Sequence, residues 1–452
     1  MRKILIANRG EIACRIIRSC KELGFRSVAI YSEIDKHLMH VQQADESYNI
    51  GKARPEDSYN NIKNIIEVAK SSSVDAIHPG YGFLSENKIF ASIIEKLGII
   101  WIGPDSKTIE ALGDKKNAKY IAQKLGIKTV PGSINFAINK IRNLESELNK
   151  LDFPILIKSS VGGGGIGMKK VESSEVLFGL IEKIQNNLLN LTGSGTIFLE
   201  NYIQKSRHIE VQVFGNGEGD VINIGTRDCS IQRRFQKIIE EAPAPFLNND
   251  VHKKIILDAM NLMKFAKYKG AGTVEFIFDV DSKDYYFLEV NTRIQVEHTI
   301  TEEISGIDIV GMQILEAFGE NKIFNIKNNI PLVGHSIEFR LCAERPYKNF
   351  LPSPGTINNL KFPIQNGVRI ETGVKSGDMI TPYYDSMIAK IIVRDITRSK
   401  AIGKLINVLE NTIVDGIETN LDFGIRVLKN KNFKAGNILT NFIELNKDDL
   451  LN

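Results

Sequence analysis

The chain has 452 residues and carries 58 Lys and Arg against 54 Asp and Glu, a formal net charge of +4, with 42% hydrophobic and 25% charged residues. At about 150 residues per domain this length predicts two to three domains, and the composition excludes collagen-like, coiled-coil and disordered classes. So small a net charge gives no case for nucleic acid as a partner, and no run approaches the ~18 apolar residues of a membrane span.

The opening segment reads as a strand over Ile4–Ala7 that breaks at Asn8-Arg9-Gly10, not as a signal peptide. A helix over Glu11–Leu23 follows, with Ile12, Ile16, Cys20 and Leu23 on one face and Gly24 as its stop. Val28–Tyr31 is the next strand. Amphipathic helices over Asn60–Ala69 and Ile89–Leu97 are each followed by a short apolar strand, Ala76–Ile77 and Ile99–Ile102. Strands alternating with helices predict a doubly wound parallel sheet, an α/β unit. Between about 131 and 203 the texture changes to an α+β unit built on a hairpin, with the strand Pro154–Ile157 ahead of the glycine run Gly162–Gly165. From His208 to Val296 and from Ser336 to Arg394, long alternating segments imply a mixed or antiparallel sheet, and the last ~55 residues read as helical. Cys14, Cys20, Cys229 and Cys342 are far apart and form no CxxC pair. That excludes a disulfide framework or a thiolate zinc site and predicts reduced, buried thiols in a cytoplasmic protein.

Three segments carry chemistry. In Lys158-Ser-Ser-Val161-Gly-Gly-Gly-Gly-Ile-Gly-Met168, consecutive glycines between two strands let backbone N–H groups approach a polyanion, and Lys158 adds a positive charge beside them. A strand, not a helix, follows the run, so the dinucleotide fingerprint does not apply, and no GxxxxGK[ST] occurs. A flexible linker is the bland alternative to a mobile flap over phosphates.

In the second segment, Gly272-Thr-Val-Glu275 and Glu289-Val-Asn291-Thr-Arg293-Ile-Gln295-Val-Glu297-His298 lie on strands joined by a short turn, which sets Glu275 near Glu289 across the ladder. These carboxylates and the Asn291 amide oxygen are hard ligands suited to Mg²⁺ or Mn²⁺. Residues 289, 291, 293, 295 and 297 share parity, so an extended backbone would present Glu, Asn, Arg, Gln and Glu on one face and turn Val290, Ile294 and Val296 inward. An ordinary half-solvated strand has the same pattern. The third segment, Arg227 to Lys237, packs four basic residues ahead of Glu240 and Glu241, and on its own it reads equally well as a solvated charge run. Lys115 stands at a helix start, where a cation is commonly solvated. His208 would by default be an exposed strand histidine, and Cys229 lacks any motif of a nucleophile.

Taken together, these segments resemble biotin carboxylase, a family of the ATP-grasp superfamily. The resemblance rests on Ile6-Ala-Asn-Arg-Gly-Glu-Ile, His78-Pro-Gly-Tyr-Gly-Phe-Leu-Ser-Glu-Asn87, the glycine run, Arg233-Arg-Phe-Gln-Lys-Ile-Ile-Glu-Glu-Ala-Pro, Glu289 to His298, Phe350-Leu-Pro-Ser-Pro-Gly355 and Pro382-Tyr-Tyr-Asp-Ser-Met387, in the family's order and over nearly the whole chain. It implies an N-terminal domain over 1–114, an ATP-grasp domain over 115–330 with a mobile glycine-rich lid at about 131–203, and a mixed α+β C-terminal domain over 331–452.

The resemblance further implies ATP held by Lys115, Lys158, His208, Gln232 and Glu200 and by the flap glycines Gly163, Gly164 and Gly165, with Mg²⁺ or Mn²⁺ on Glu275, Glu289 and Asn291. Bicarbonate would sit against Lys237, Arg293, Gln295 and the Val296 backbone, with Glu297 as its base. Arg340 would stabilise the biotin enolate. Carboxyphosphate would form, break down, and supply CO₂ to biotin. Met168 and Met263 are not followed by the Lys-Met of a biotin attachment site. The chain is therefore expected to be a free-standing subunit that serves a separate biotin carboxyl carrier protein and a carboxyltransferase, and the resemblance implies that it is a homodimer.

Phe235, Asn201, Ile166 and Val161 depart from the family's usual His, Lys, basic residue and Gly, all around the nucleotide. Two other readings remain at this point. One is a carbamoyl-phosphate-type ligase that also uses ATP and bicarbonate, and the other is a non-catalytic, nucleotide-binding assembly subunit.

Overall fold

Five parallel strands open the chain in the order β3-β2-β1-β4-β5, namely β1 (Lys3–Ile6), β2 (Arg26–Ser32), β3 (Glu46–Gly51), β4 (Ala76–His78) and β5 (Ile100–Trp101). The apolar runs of β1 and β2 bury Leu5, Val28 and Ile30 against Ile65, Phe90 and Ile94 of the flanking helices. Helix signals act where the sequence places them: Asn87 caps Lys88–Lys96 by accepting from the Ile89 and Phe90 amides, and Gly24 adopts φ +77° just after Gly10–Glu22. β3 has no counterpart among the strands expected from the sequence. Its burial alternates from Glu46 to Gly51 without a clear apolar face, as befits the edge strand it is. The computed structural model describes every residue except 139, 141–142, 160–167, 193, 321–322, 327–329 and 452.

A small antiparallel sheet follows in the order β7-β6-β8, with β6 (Ile155–Ser159), β7 (Lys169–Val171) and β8 (Ile197–Asn201). The helix Ser174–Thr192 packs on it through Leu177, Ile181 and Leu188. Gly163, Gly164 and Gly165 lie outside the described residues, as do Val161 and Ile166.

The site is built on one eight-stranded antiparallel sheet. Its order runs β13 (Tyr285–Asn291), β12 (Lys269–Asp279), β9 (Ser206–Asn216), β10 (Val221–Arg233), β11 (Gln236–Ala242), β14 (His335–Cys342), then the strands Met387–Asp395 and Val368–Thr372. Strands before and after residue 330 therefore share a single sheet, joined where β11 pairs with β14. Alternation explains its faces. Along β9, Ile209, Val211 and Val213 turn to a core with Ile255, Ala259 and Leu262 of the helix Asn249–Phe265. His208, Glu210 and Gln212 take the opposite parity, and they too are buried.

Candidate active site

The polar face of that sheet carries a row of charge. Register sets Glu289, Glu275, Glu210 and Arg227 directly beside one another across β13, β12, β9 and β10. Carboxylates at adjacent rungs repel unless cations intervene, and cations do. Lys115, at the start of a helix capped by Asp114, lies 3.0 Å from Glu289. The His208 Nε2 lies 3.0 Å from Glu275 Oε2 and 3.2 Å from Glu210 Oε1. The Lys237 ammonium donates to Glu275 at 3.0 Å, to Glu297 at 2.7 Å and, more closely, to Glu210. Burial disfavours a charged His208, yet Glu275 and Glu210 outweigh it and raise its pKa to about 10. The same carboxylates and Glu297 outweigh burial at Lys237 and raise it well above the ordinary lysine value.

Arg227 is fully buried, and such a guanidinium is tolerated only when its donors are satisfied. It donates to Glu210, Gln212 (2.7 Å), Thr301 (3.1 Å), Thr273 (3.1 Å) and Gln295 (2.7 Å), which ties the sheet to the segment after β13.

That segment does not continue as a strand. β13 ends at Asn291, the Thr292 amide donates to Glu86 at 3.0 Å, and the backbone turns into the helix His298–Ser305. The expected extended face over 289–297 is thus corrected: Val290 and Ile294 are buried, but Val296 is only half-buried. Side chains still converge after the turn, since Asn291 and Gln295 each donate to Glu275 Oε1 at 2.8 Å. Arg293 lines the same cleft, with Nε 3.0 Å from Glu86 and Nη2 3.1 Å from the Asn291 oxygen. The Val296 carbonyl accepts from the buried Lys390 at 2.8 Å.

Glu297 lies at the junction with β14. Its Oε1 accepts from Lys237, and its Oε2 accepts from Arg340 Nη2 at 2.9 Å, while Arg340 Nε holds Glu240 at 2.6 Å. Burial would raise the Glu297 carboxyl, but Lys237, Arg340 and Arg227 overcome it and hold it well below the usual carboxylate range. Nearby, Glu200 on β8 accepts from Lys158 at 2.5 Å and from Lys119 at 2.9 Å. Gln232 lies 3.0 Å from His208 Nδ1. Lys158, Glu200, His208, Gln232, Lys237, Glu297 and Arg340 line one cleft of about 1240 Å³. Its mouth includes the loop after His78, where Asn8 donates to the Pro79 and Tyr81 carbonyls at 2.7 Å each. Gly80 there has φ +64°, and a Cβ would meet the Asn8 amide at 2.9 Å.

Comparison with known proteins gives a consistent result. The family described as "Biotin carboxylase, N-terminal domain" matches residues 1–109, "Carbamoyl-phosphate synthase L chain, ATP binding domain" matches 114–322, and "Biotin carboxylase C-terminal domain" matches 338–445. Biotin carboxylase 1 of Bacillus subtilis (strain 168) is 43% identical, over 98% of both chains. Biotin carboxylase of Halalkalibacterium halodurans is 44% identical, over 98% of this chain and 97% of that one. The chain belongs to the biotin carboxylase family. In structure it is similar to the biotin carboxylase domain dimer of Hydrogenobacter thermophilus 2-oxoglutarate carboxylase in complex with MgADP, ADP and bicarbonate, at TM-score 0.95 and 42% identity, covering 99% of this chain and 98% of that one. Biotin carboxylase from Campylobacter jejuni in a beta-gamma-ATP complex gives TM-score 0.92 and 42% identity, over 98% of each chain. Among the described residues no helix is long and apolar enough to cross a membrane.

Of the candidates raised for a biotin carboxylase site, Lys237, Glu297 and Arg340 meet directly, and Lys158 meets Glu200. His208 is 7% exposed, so its default reading as a solvated strand histidine is overturned. Arg227 in the basic segment is likewise buried, not solvated. Cys229 is fully buried, and burial pushes its thiol well above the ordinary value, which ends any nucleophile reading. Phe235 sits at the tip of the β10–β11 hairpin at φ +68°, 44% exposed in the cleft wall. Asn201 also lines the cleft and accepts from the Asp152 amide at 3.1 Å.

Sequence reasoning missed Glu210, Gln212, Lys119, Glu86 and Lys390. The signal for Glu210 and Gln212 was present, because both share parity with His208 along a strand of alternating apolar residues. Lys390 was readable as a lone cation inside Met-Ile-Ala-Lys-Ile-Ile-Val.

The donor set suits a divalent cation. Glu275 and Glu289 are directly opposed hard oxygen donors, each now engaged by a cation from the protein. The Asn291 oxygen, by contrast, accepts from Arg293. His208, Glu210 and Glu275 form a second grouping with ligand atoms within 4.8 Å of one another.

Proposed function

We propose that the chain carboxylates biotin with bicarbonate at the expense of ATP, through carboxyphosphate, as the first half-reaction of an acyl-CoA or pyruvate carboxylase. The observation that carries this reading is the Lys237–Glu297–Arg340 junction. It places one carboxylate between two fixed cations in the cleft that also holds Lys115, Lys158 and Glu200.

Lys115, Lys158 and His208 would face the nucleotide phosphates, Gln232 would hold His208, and Glu200 would fix Lys158. Gly163, Gly164 and Gly165 belong to the same proposal as the flap. Glu275 and Glu289, with Asn291, would hold Mg²⁺ or Mn²⁺, which when bound neutralises charge on the phosphates. Bicarbonate would lie against Lys237, Arg293, Gln295 and the Val296 backbone. An anion there competes with Glu297 for the Lys237 donors. That weakens the hold that depresses Glu297, so the carboxylate becomes a better proton acceptor as substrate binds.

Glu297 then takes the bicarbonate proton, and the freed oxyanion attacks the γ-phosphorus, giving carboxyphosphate and ADP. Carboxyphosphate breaks down to CO₂ and phosphate. The phosphate takes the N1 proton of biotin while Arg340 accommodates charge on the ureido oxygen, and N1 attacks CO₂.

The biotin would be presented by a separate carrier protein, with a carboxyltransferase taking the product and the chain acting as a cytoplasmic homodimer. This reading keeps the three domains 1–114, 115–330 and 331–452, and it is supported by family matches that fall within or close to those bounds. The test is ATP hydrolysis with Mg²⁺, with and without bicarbonate and free biotin. Hydrolysis that needs bicarbonate and rises with biotin is expected. Hydrolysis that needs bicarbonate but ignores biotin would favour a carbamoyl-phosphate-type ligase, and none would favour an assembly subunit.

A further inference from the structure

Behind Arg340 the sheet holds a feature that the proposed chemistry does not use. Glu240 on β11 and Glu338 on β14 are directly opposed in the ladder, and both are fully buried. Directly opposed side chains put their Cβ atoms about 5 Å apart. Glu240 Oε1 accepts from Arg340 at 2.6 Å, and Glu338 Oε2 accepts a close hydrogen bond from Thr299. The remaining oxygens, Glu240 Oε2 and Glu338 Oε1, are buried and have no hydrogen-bond partner among the described residues.

Two ionised carboxylates in that position would repel across the ladder and leave two buried oxygens with no donor. One proton between them resolves both problems, because it removes a charge and supplies the donor that the bare oxygens lack. We propose that Glu240 and Glu338 share a proton and act as positioning residues that keep Arg340 available to an oxyanion in the cleft.

The surrounding charges agree. Arg340 and Lys237 face Glu240, Lys390 and Arg340 face Glu338, and Glu297 repels both. The Cys229 thiol, held neutral, also faces Glu240, and Glu11 stands beyond Lys390 at 3.2 Å. Burial is the largest influence on each member of the pair and raises both above the ordinary carboxyl range against the pull of the cations. With one proton, the pair carries a single charge that Arg340 balances through Nε while its Nη2 reaches Glu297. When that proton is lost, a second charge draws the guanidinium back toward the sheet and weakens its field where the ureido oxygen would sit.

The kinetic arm of the test rests on the biotin reading above, and the spectroscopic arm does not. At saturating ATP and bicarbonate, the KM for biotin should rise on the alkaline side by up to about tenfold per pH unit, the slope of one ionisation. In Glu338→Gln, whose amide stands permanently for the protonated partner, that rise should vanish. An unchanged alkaline rise in Glu338→Gln overturns the positioning role. Infrared spectroscopy of the protein in D₂O should show a protonated-carboxyl stretch at neutral pH that is lost as pH rises and is missing in Glu338→Gln or Glu240→Gln. A band of full strength in both variants overturns the shared proton. Should the variants not fold, the wild-type titration decides, since no protonated carboxyl at neutral pH overturns it as well.

Discussion

Glu297 touches Lys237 with one carboxylate oxygen, at 2.7 Å, and Arg340 with the other, at 2.9 Å. The two cations come from neighbouring strands of one sheet, β11 and β14, so their spacing is set by the backbone ladder and not by flexible loops. In the proposed reaction this places the base between the cation for bicarbonate and the cation for biotin, where it would serve the first step and be screened from the second. Glu297→Gln keeps the shape and the acceptor oxygen but removes the base. We expect bicarbonate-dependent ATP hydrolysis to fall by roughly 10²–10⁴-fold, with nucleotide affinity, measured by equilibrium binding, changed little. Hydrolysis within a factor of two of wild type would refute the assignment.

In the proposed reaction Arg340 would serve the second half and not the first. It reaches Glu240 through Nε and Glu297 through Nη2, a two-sided grip that a lysine cannot reproduce. Both Arg340→Lys and Arg340→Ala should reduce biotin carboxylation by about 10²–10³-fold, the cost of removing one oxyanion donor. Bicarbonate-dependent hydrolysis without biotin should fall far less. Measuring both rates on the same preparations checks this, and an equal loss in both would place Arg340 in the first step.

Much of this site could be read before the fold was known, and the parts that could not have physical reasons. The nearness of Glu275 and Glu289 was legible from the short turn that joins their strands, but their direct opposition rests on a bulge between Glu275 and Phe276, without which Glu275 would face Leu288. The display expected along 289–297 failed because Glu86, distant in sequence, takes the Thr292 amide and ends the ladder, which local periodicity does not encode. His208 and Arg227 looked solvated because their strands alternate as half-exposed strands do. Arg227 is buried because the helix His298–Ser305 and its preceding turn cover it, as its contacts to Thr301 and Gln295 show, and His208 is buried among Glu210, Glu275 and Gln232. The Glu240–Glu338 opposition joins segments about a hundred residues apart and was invisible until β11 and β14 were seen to pair. The edge strand β3 was missed because it lacks a clear apolar face.

The opposed carboxylates of β12 and β13 predict unequal losses. Glu289 is partly exposed and engages Lys115, whereas Glu275 also anchors Lys237, His208, Asn291 and Gln295. Loss of a group that merely supports a metal ligand costs about 10–100-fold in metal affinity. Glu289→Ala should therefore raise the Mg²⁺ concentration for half-maximal hydrolysis at least about tenfold. Glu275→Ala should abolish bicarbonate-dependent turnover even at saturating Mg²⁺, because it also frees the groups around Lys237. A Mg²⁺ titration of each variant checks both, and an unaltered midpoint for Glu289→Ala would remove it from the metal site.

Away from the cleft, Glu371 predicts how the protein responds to acid. Its Oε1 accepts from Arg18 at 2.5 Å and from Arg369 Nε at 2.7 Å, joining the strand Val368–Thr372 to the helix Gly10–Glu22. Burial raises the carboxyl, but Arg369 and Arg18 outweigh it and lower the pKa from 4.5 to about 2. A carboxyl whose folded pKa is depressed stabilises the fold fully above its unfolded pKa and loses that contribution as pH falls through the folded one. The window here is therefore pH 4.5 down to about 2. The shift corresponds to a stabilisation on the order of 3 kcal/mol at neutral pH. Glu371→Gln should lower resistance to denaturant at pH 7 and flatten the decline of stability across that window, so that wild type and variant converge in strong acid. Denaturant midpoints measured from pH 7 to pH 2 check this, and curves that stay parallel throughout would show that the Arg18 and Arg369 contacts are not the source of acid sensitivity.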